Sequence, residues 1–106
     1  MNSNDLQNFL DCMKGEEYYE AHDILEHLWF PRRFEKTNEL NLIKGYINAA
    51  VSFELYKRGK PESAKKIYKT YLKYKDLRAL VNESEHANKY REIEECIENI
   101  RENSAF

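Results

Sequence analysis

Leu40-Asn41-Leu42-Ile43-Lys44-Gly45-Tyr46-Ile47-Asn48-Ala49-Ala50-Val51-Ser52-Phe53-Glu54-Leu55 puts Leu40, Ile43, Ile47, Ala50, Val51, Phe53 and Leu55 at helical spacing. Apolar residues recurring every three to four positions predict a helix with a core-facing stripe, since a strand would alternate with period two. The helix is expected to stop at Gly59, because glycine accepts the left-handed backbone that ends helices. Beyond it, Pro61 suits the first position of another helix, which carries Ala64, Ile67, Tyr68, Tyr71 and Leu72 toward Leu80, with Lys65, Lys69 and Lys73 as its wet stripe. Before it, a polar connection over residues 32–38 follows a helix over about residues 16–29. That helix buries Tyr18, Ala21, Leu25 and Leu28, and Pro31 closes it because proline lacks the N–H the ladder needs. Its acidic start, Glu16, Glu17 and Glu20, suits the positive end of the helix dipole.

The same reasoning supplies a helix at each end. Ser3 or Asn4 caps a first helix bearing Leu6, Phe9, Leu10 and Met13, with Gly15 in the left-handed closing position. Ser84 is the candidate cap of a last helix bearing Tyr90, Ile93, Ile97 and Ile100, after which the tail is expected to fray. The expected architecture is an all-α, single-domain bundle of about five helices built from helical hairpins and spanning residues 1–106.

Composition agrees with that reading. The chain has 106 residues, the size of one ordinary domain, and three Gly and two Pro among 42% hydrophobic residues argue against a disordered or all-β chain. No apolar run approaches the roughly 20 residues needed to cross a bilayer. Met-Asn-Ser-Asn-Asp at the N-terminus lacks the basic and apolar regions of a signal peptide. A cytoplasmic protein without membrane partners is therefore expected. Cys12 and Cys96 form no C-x-x-C pair, and in a reducing compartment they are expected as free, partly buried thiols. The net charge of -2 hides an asymmetry: residues 57–78 hold 9 basic and 2 acidic side chains, whereas the flanking segments are acidic. Helix packing could neutralise that block internally, or an acidic partner could.

Chemistry concentrates in Tyr19-Glu20-Ala21-His22-Asp23-Ile24-Leu25-Glu26-His27-Leu28-Trp29. In a helix, His22-x-x-x-Glu26-x-x-Trp29 stacks an imidazole, a carboxylate and an indole on one face, because residues three and four apart are neighbours. Two readings stand side by side. One is a structural pair, in which Glu26 satisfies a half-buried His22. The other makes His22 and Glu26 an acid/base pair or two ligands of a divalent metal. A metal needs at least one more donor from another helix, and Glu54 is the obvious supplier. Glu20, Asp23 and His27 on the other side are expected to be a solvated face. His22-Asp23 does not suffice for a metal phosphohydrolase, since His27 and His86 are the only other histidines.

A second candidate is the basic helix, where Lys65, Lys66, Lys69 and Lys73 alternate with Tyr68, Tyr71 and Tyr74. Lysines could hold phosphates while tyrosines stack on bases. The alternative is a solvated lysine face over a tyrosine-rich core, paired with Glu92, Glu94, Glu95 and Glu98. Ser52, Tyr56, Gly59, Ala64, Tyr68 and Leu72 also fall near tetratricopeptide offsets, but an array needs about three units and one copy is present. This is read as shared hairpin packing.

The stretch from Tyr19 to Trp29 resembles the signature of the bacterial and archaeal domain of unknown function 309 family, whose motif H-x-x-x-E-x-x-W carries over to His22, Glu26 and Trp29. Ile43 to Val51, followed by Lys57-Arg58-Gly59, resembles that family's glycine-led helix and basic-glycine turn. The two blocks cover roughly residues 15–75. Where the family commonly has Gln, this chain has Asn48, and where members often place His it has Glu54. The resemblance implies a small all-α bundle capable of self-association into a homo-oligomer and leaves activity, and hence enzyme status, open. Together these readings give a pocket between helices two and three lined by His22, Glu26, Trp29, Asn48 and Glu54, taking a metal or a small polar ligand. The alternative is a non-enzymatic module that binds a protein or nucleic acid through its fourth helix.

Overall fold

The central helix buries residues on every side, which sets the arrangement of the others around it. A computed structural model of the chain describes residues 3–106. Among these the helices are α1 (Ser3–Lys14), α2 (Tyr18–Trp29), α3 (Asn38–Lys57), α4 (Pro61–Tyr74) and α5 (Ala87–Glu102). Short 3-10 segments, Phe30–Arg32 and Lys75–Val81, follow α2 and α4. In α3, Leu42, Ile43, Tyr46, Ala49, Ala50 and Phe53 are all buried, as expected of a helix that is apolar nearly all round. It packs on α2 and α4 as two antiparallel hairpin partners, while α1 lies against α2 and α5. The Cα radius of gyration of 12.7 Å matches the roughly 13 Å of a folded domain of this length, so the helices make one all-α single-domain bundle.

The helix ends explain the spacing of the hairpins. Thr37 caps α3 through its hydroxyl, which accepts from the Leu40 N–H at 3.2 Å. At the other end, Lys60 N–H donates to Leu55 O and Gly59 N–H to Tyr56 O, the two bonds of a Schellman closure, with Gly59 at φ +80° as its sequence position predicts. The α1–α2 turn repeats this closure with a different residue. Glu17 N–H donates to Cys12 O and Glu16 N–H to Met13 O, which puts Glu16, at φ +59°, in the left-handed position expected of Gly15. The turn geometry requires the residue after the helix cap to turn left, and Gly15 is the cap itself.

Three other boundaries differ from the sequence reading. The α-helix predicted to run toward Leu80 ends at Tyr74 and tightens into the 3-10 segment, which leaves Leu80 66% exposed. Ser84 is not the cap of α5. His86 occupies that position, and the Ser84 hydroxyl accepts from the His86 N–H while donating to Glu39. The tail is docked: Ala105 N–H donates to the Tyr56 hydroxyl at 3.1 Å, and the Phe106 ring sits 5.3 Å from Tyr56 and 6.1 Å from Phe53. Aromatic packing at these separations holds the segment that sequence composition alone left loose.

Candidate functional site

One turn into α2, the His22 Nε2–H donates to the Glu26 carboxylate at 2.5 Å, across the i,i+4 spacing. The other ring nitrogen, Nδ1, lies 3.3 Å from the carbonyl oxygen of Tyr19, so both nitrogens face oxygens of the same helix. The Tyr19 ring flanks the imidazole at 5.7 Å. Side-chain exposures of 22% for His22 and 43% for Glu26 leave the pair in contact with water. Ion pairs that exposed contribute roughly 0–1 kcal/mol to stability, so the contact orients the imidazole more than it holds the bundle together.

His22 stands at the edge of an open cleft of about 230 Å³ between α2 and α3, lined by Tyr18, Tyr19, His22, Val51, Glu54, Leu55 and Arg58. Glu54, itself one-fifth exposed, accepts from the Arg58 Nε at 2.7 Å, a second i,i+4 pair on the facing helix. His22 and Glu54 thus share one cleft. Glu26 is tied to it through His22 and is outside its lining. Trp29 and Asn48 are not in it either. Asn48 donates to the Lys44 carbonyl of its own helix at 2.8 Å, and Lys44 Nζ lies between the Trp29 and Tyr74 rings at 5.8 and 5.7 Å. Trp29 packs partly buried against the core. Sequence reasoning did not place Tyr18, Tyr19, Val51, Leu55 or Arg58 in the cleft. The signal for Arg58 was present, four residues after Glu54.

Among the described residues, no three His, Cys, Asp or Glu side chains come together as a metal-binding group. Glu54 therefore does not complete a set with His22 and Glu26, since Arg58 occupies its carboxylate. Glu20, Asp23 and His27 are exposed, and His27 Nδ1 lies 3.0 Å from the Asp23 carbonyl oxygen. That face is solvated, as its position on an amphipathic helix requires.

On α4, Lys65, Lys66, Lys69 and Lys73 are exposed, but Tyr68 and Tyr71 are buried and Tyr74 is half-buried. Stacking of bases on Tyr68 and Tyr71 is excluded by that burial. The acidic residues of α5 do not neutralise these lysines either. Glu94 accepts from Arg78 at 2.8 Å and from the Tyr46 hydroxyl at 2.5 Å, Glu98 pairs with Lys75 and Glu92 with Lys89. Both cysteines are free and half-buried, and burial pushes both thiols up.

A five-helix bundle with an imidazole–carboxylate pair at a cleft between its second and third helices defines the class of protein. More specifically, residues 6–67 match the family model described as Domain of unknown function (DUF309), and the chain belongs to that family. The match runs from α1 into α4 and includes the His22–Trp29 stretch and the glycine-containing first half of α3. No curated protein and no solved structure matches the chain. No helix among the described residues is long and apolar enough to cross a membrane.

Proposed function

We propose that this chain is a small ligand-binding protein whose α2–α3 cleft holds a small polar molecule against His22. The observation that carries the reading is the His22–Glu26 contact at the edge of a cleft whose facing wall bears Glu54 and Arg58. Such a cleft offers a proton donor or acceptor on one side and groups of both signs on the other, which suits orientation of a polar ligand and proton exchange with it. A divalent metal is the second form of the same reading. His22 and Glu26 would supply two donors, and the ligand or a partner chain would supply the rest.

Native mass spectrometry and elemental analysis of protein purified without a histidine tag test both forms. A co-purifying small molecule or divalent metal is expected, and it is lost from His22→Ala and Glu26→Ala while each variant stays within about 1 kcal/mol of the parent in urea unfolding. No bound species, with both variants destabilised by about 3 kcal/mol or more, makes the pair structural and overturns the reading.

A separate reading follows from four exposed lysines on α4 that pair with no carboxylate among the described residues. An acidic partner, nucleic acid or protein, docks there through charge alone. A titration with a single-stranded oligonucleotide at low salt, against Lys65→Glu, Lys69→Glu and Lys73→Glu, checks the nucleic-acid form, and absence of binding removes it. Sedimentation of the same variants reads self-association.

A further inference from the structure

A second groove of the bundle, which meets the α2–α3 cleft only at Tyr18, has a different chemistry. It encloses about 410 Å³ between α1, α3 and α5, within the roughly 300–1,000 Å³ typical of small-molecule sites. Its floor is apolar and sealed: Met13, Tyr18 and Phe53 line it and are 1%, 6% and 1% exposed. Its rim is polar and charged. Lys14 from α1 and Lys57 from α3 stand on it, with one carboxylate, Glu16. Neither lysine forms an ion pair among the described residues, and Lys57 Nζ is held over the α1–α2 turn by donating to the Glu16 carbonyl at 3.0 Å. The exposed amide of Asn99 adds a hydrogen-bonding group from α5.

We infer that this groove binds an amphipathic organic anion, with an aromatic or short acyl body against the half-buried Tyr56, Cys96 and Ile100 above the Met13–Tyr18–Phe53 floor and a carboxylate or similar head between Lys14 and Lys57. Charge complementarity selects the sign. Two ammonium groups without an ion-pair partner among the described residues outweigh one carboxylate at the rim, and a monoanion gives them the charged acceptor the protein withholds. The apolar wall selects the body, because the half-buried Tyr56, Cys96 and Ile100 keep apolar surface in the groove that a ligand would remove from water together with its own. The α2–α3 cleft is a different site, and Tyr18 lines both.

The test is a fluorescence titration of the folded full chain with anilinonaphthalene sulfonate, an aromatic anion, followed by competition with octanoate and with octylamine. The dye is expected to bind at one site, octanoate to displace it and octylamine to leave it in place. Lys14→Ala with Lys57→Ala weakens dye binding about 10-fold, the worth of a charge-assisted hydrogen bond of roughly 1.4 kcal/mol. Glu16→Gln tightens it, Asn99→Trp blocks it by filling the mouth from an exposed position, and His22→Ala leaves it unchanged. Cys96 lines the groove whereas Cys12 does not, so octanoate also slows alkylation of Cys96 selectively. Absence of dye binding overturns the inference. So does dye binding that survives both the lysine substitutions and Asn99→Trp, or displacement by octylamine as effective as by octanoate.

Discussion

Gly45 of α3 runs directly beneath Tyr74 at the end of α4: a Cβ on Gly45 would stand 3.0 Å from the Tyr74 Cβ and 3.8 Å from the Tyr71 Cα. The closest approach of the two central helices therefore depends on a missing methyl group. It explains why a residue with poor helix propensity sits inside the longest helix of the bundle.

Gly45→Ala gains about 1 kcal/mol of helix propensity but forces the end of α4 outward. Because the obstructing atom is a Cβ anchored to backbone, the crowding wins, and a net loss of about 1 kcal/mol is expected, rising to about 3 for Gly45→Val. Urea unfolding reads this, and a stabilised Gly45→Ala protein would show that α4 yields freely.

Two buried tyrosines should respond oppositely to loss of their hydroxyls. Tyr46 donates to Glu94, which Arg78 also holds, whereas the Tyr71 hydroxyl is buried with no hydrogen-bond partner among the described residues. Tyr46→Phe is expected to cost about 2 kcal/mol, and Tyr71→Phe to be neutral or stabilising by up to about 1 kcal/mol. In a double-mutant cycle, Tyr46→Phe and Glu94→Ala should couple by roughly 1 kcal/mol or more. Equal costs for the two Phe variants would contradict the assigned bond.

Alkaline pH should unfold the bundle cooperatively. Burial raises the phenols of Tyr18 and Tyr68 to about 12, and pushes those of Tyr46, Tyr71 and Tyr90 further up, with hydrogen bonds to Glu94 and Glu39 adding to Tyr46 and Tyr90. A raised folded-state value means that the unfolded chain gives up its protons first. The stability these neutral phenols contribute is complete below the ordinary pH 10 and is lost as pH climbs toward 12 and beyond. Phenolate absorbance from these five should rise together with loss of helical circular dichroism. Their ionisation inside an intact bundle would refute the coupling.

Glu16 occupies a left-handed backbone position that costs a side-chain-bearing residue about 1–2 kcal/mol. Glu16→Gly relieves that strain but frees the unfolded chain, so a net gain of about 0.5–1 kcal/mol is expected in urea unfolding. Gly15→Ala should be tolerated, since Gly15 is not at positive φ and an added Cβ meets nothing closer than 3.4 Å. A larger loss at Gly15 than at Gly59→Ala would reverse the assignment of the turn.

Residues whose roles follow from local spacing were legible in the sequence. The apolar stripes of α1 to α5, Gly59 as the left-handed closure and Pro61 as the first residue of α4 all follow from backbone stereochemistry acting over a few residues. The His22–Glu26 contact was legible for the same reason, being one turn of a single helix. Glu54 lines the α2–α3 cleft, but its carboxylate, assigned across the cleft to a set with His22 and Glu26, accepts from Arg58 four residues on.

What the sequence determined by itself is the inventory of helices and the His22–Glu26 pair within α2, because those interactions close over three or four residues. Only the tertiary structure decided which faces meet. Packing closed Tyr68 and Tyr71 off from any base, gave Glu94 to Tyr46 across 48 residues and drew Phe106 onto Phe53 and Tyr56. It also left Lys14 and Lys57 facing an open groove. Such contacts depend on how rigid helices fit together, and their partners lie too far apart along the chain for periodicity to encode.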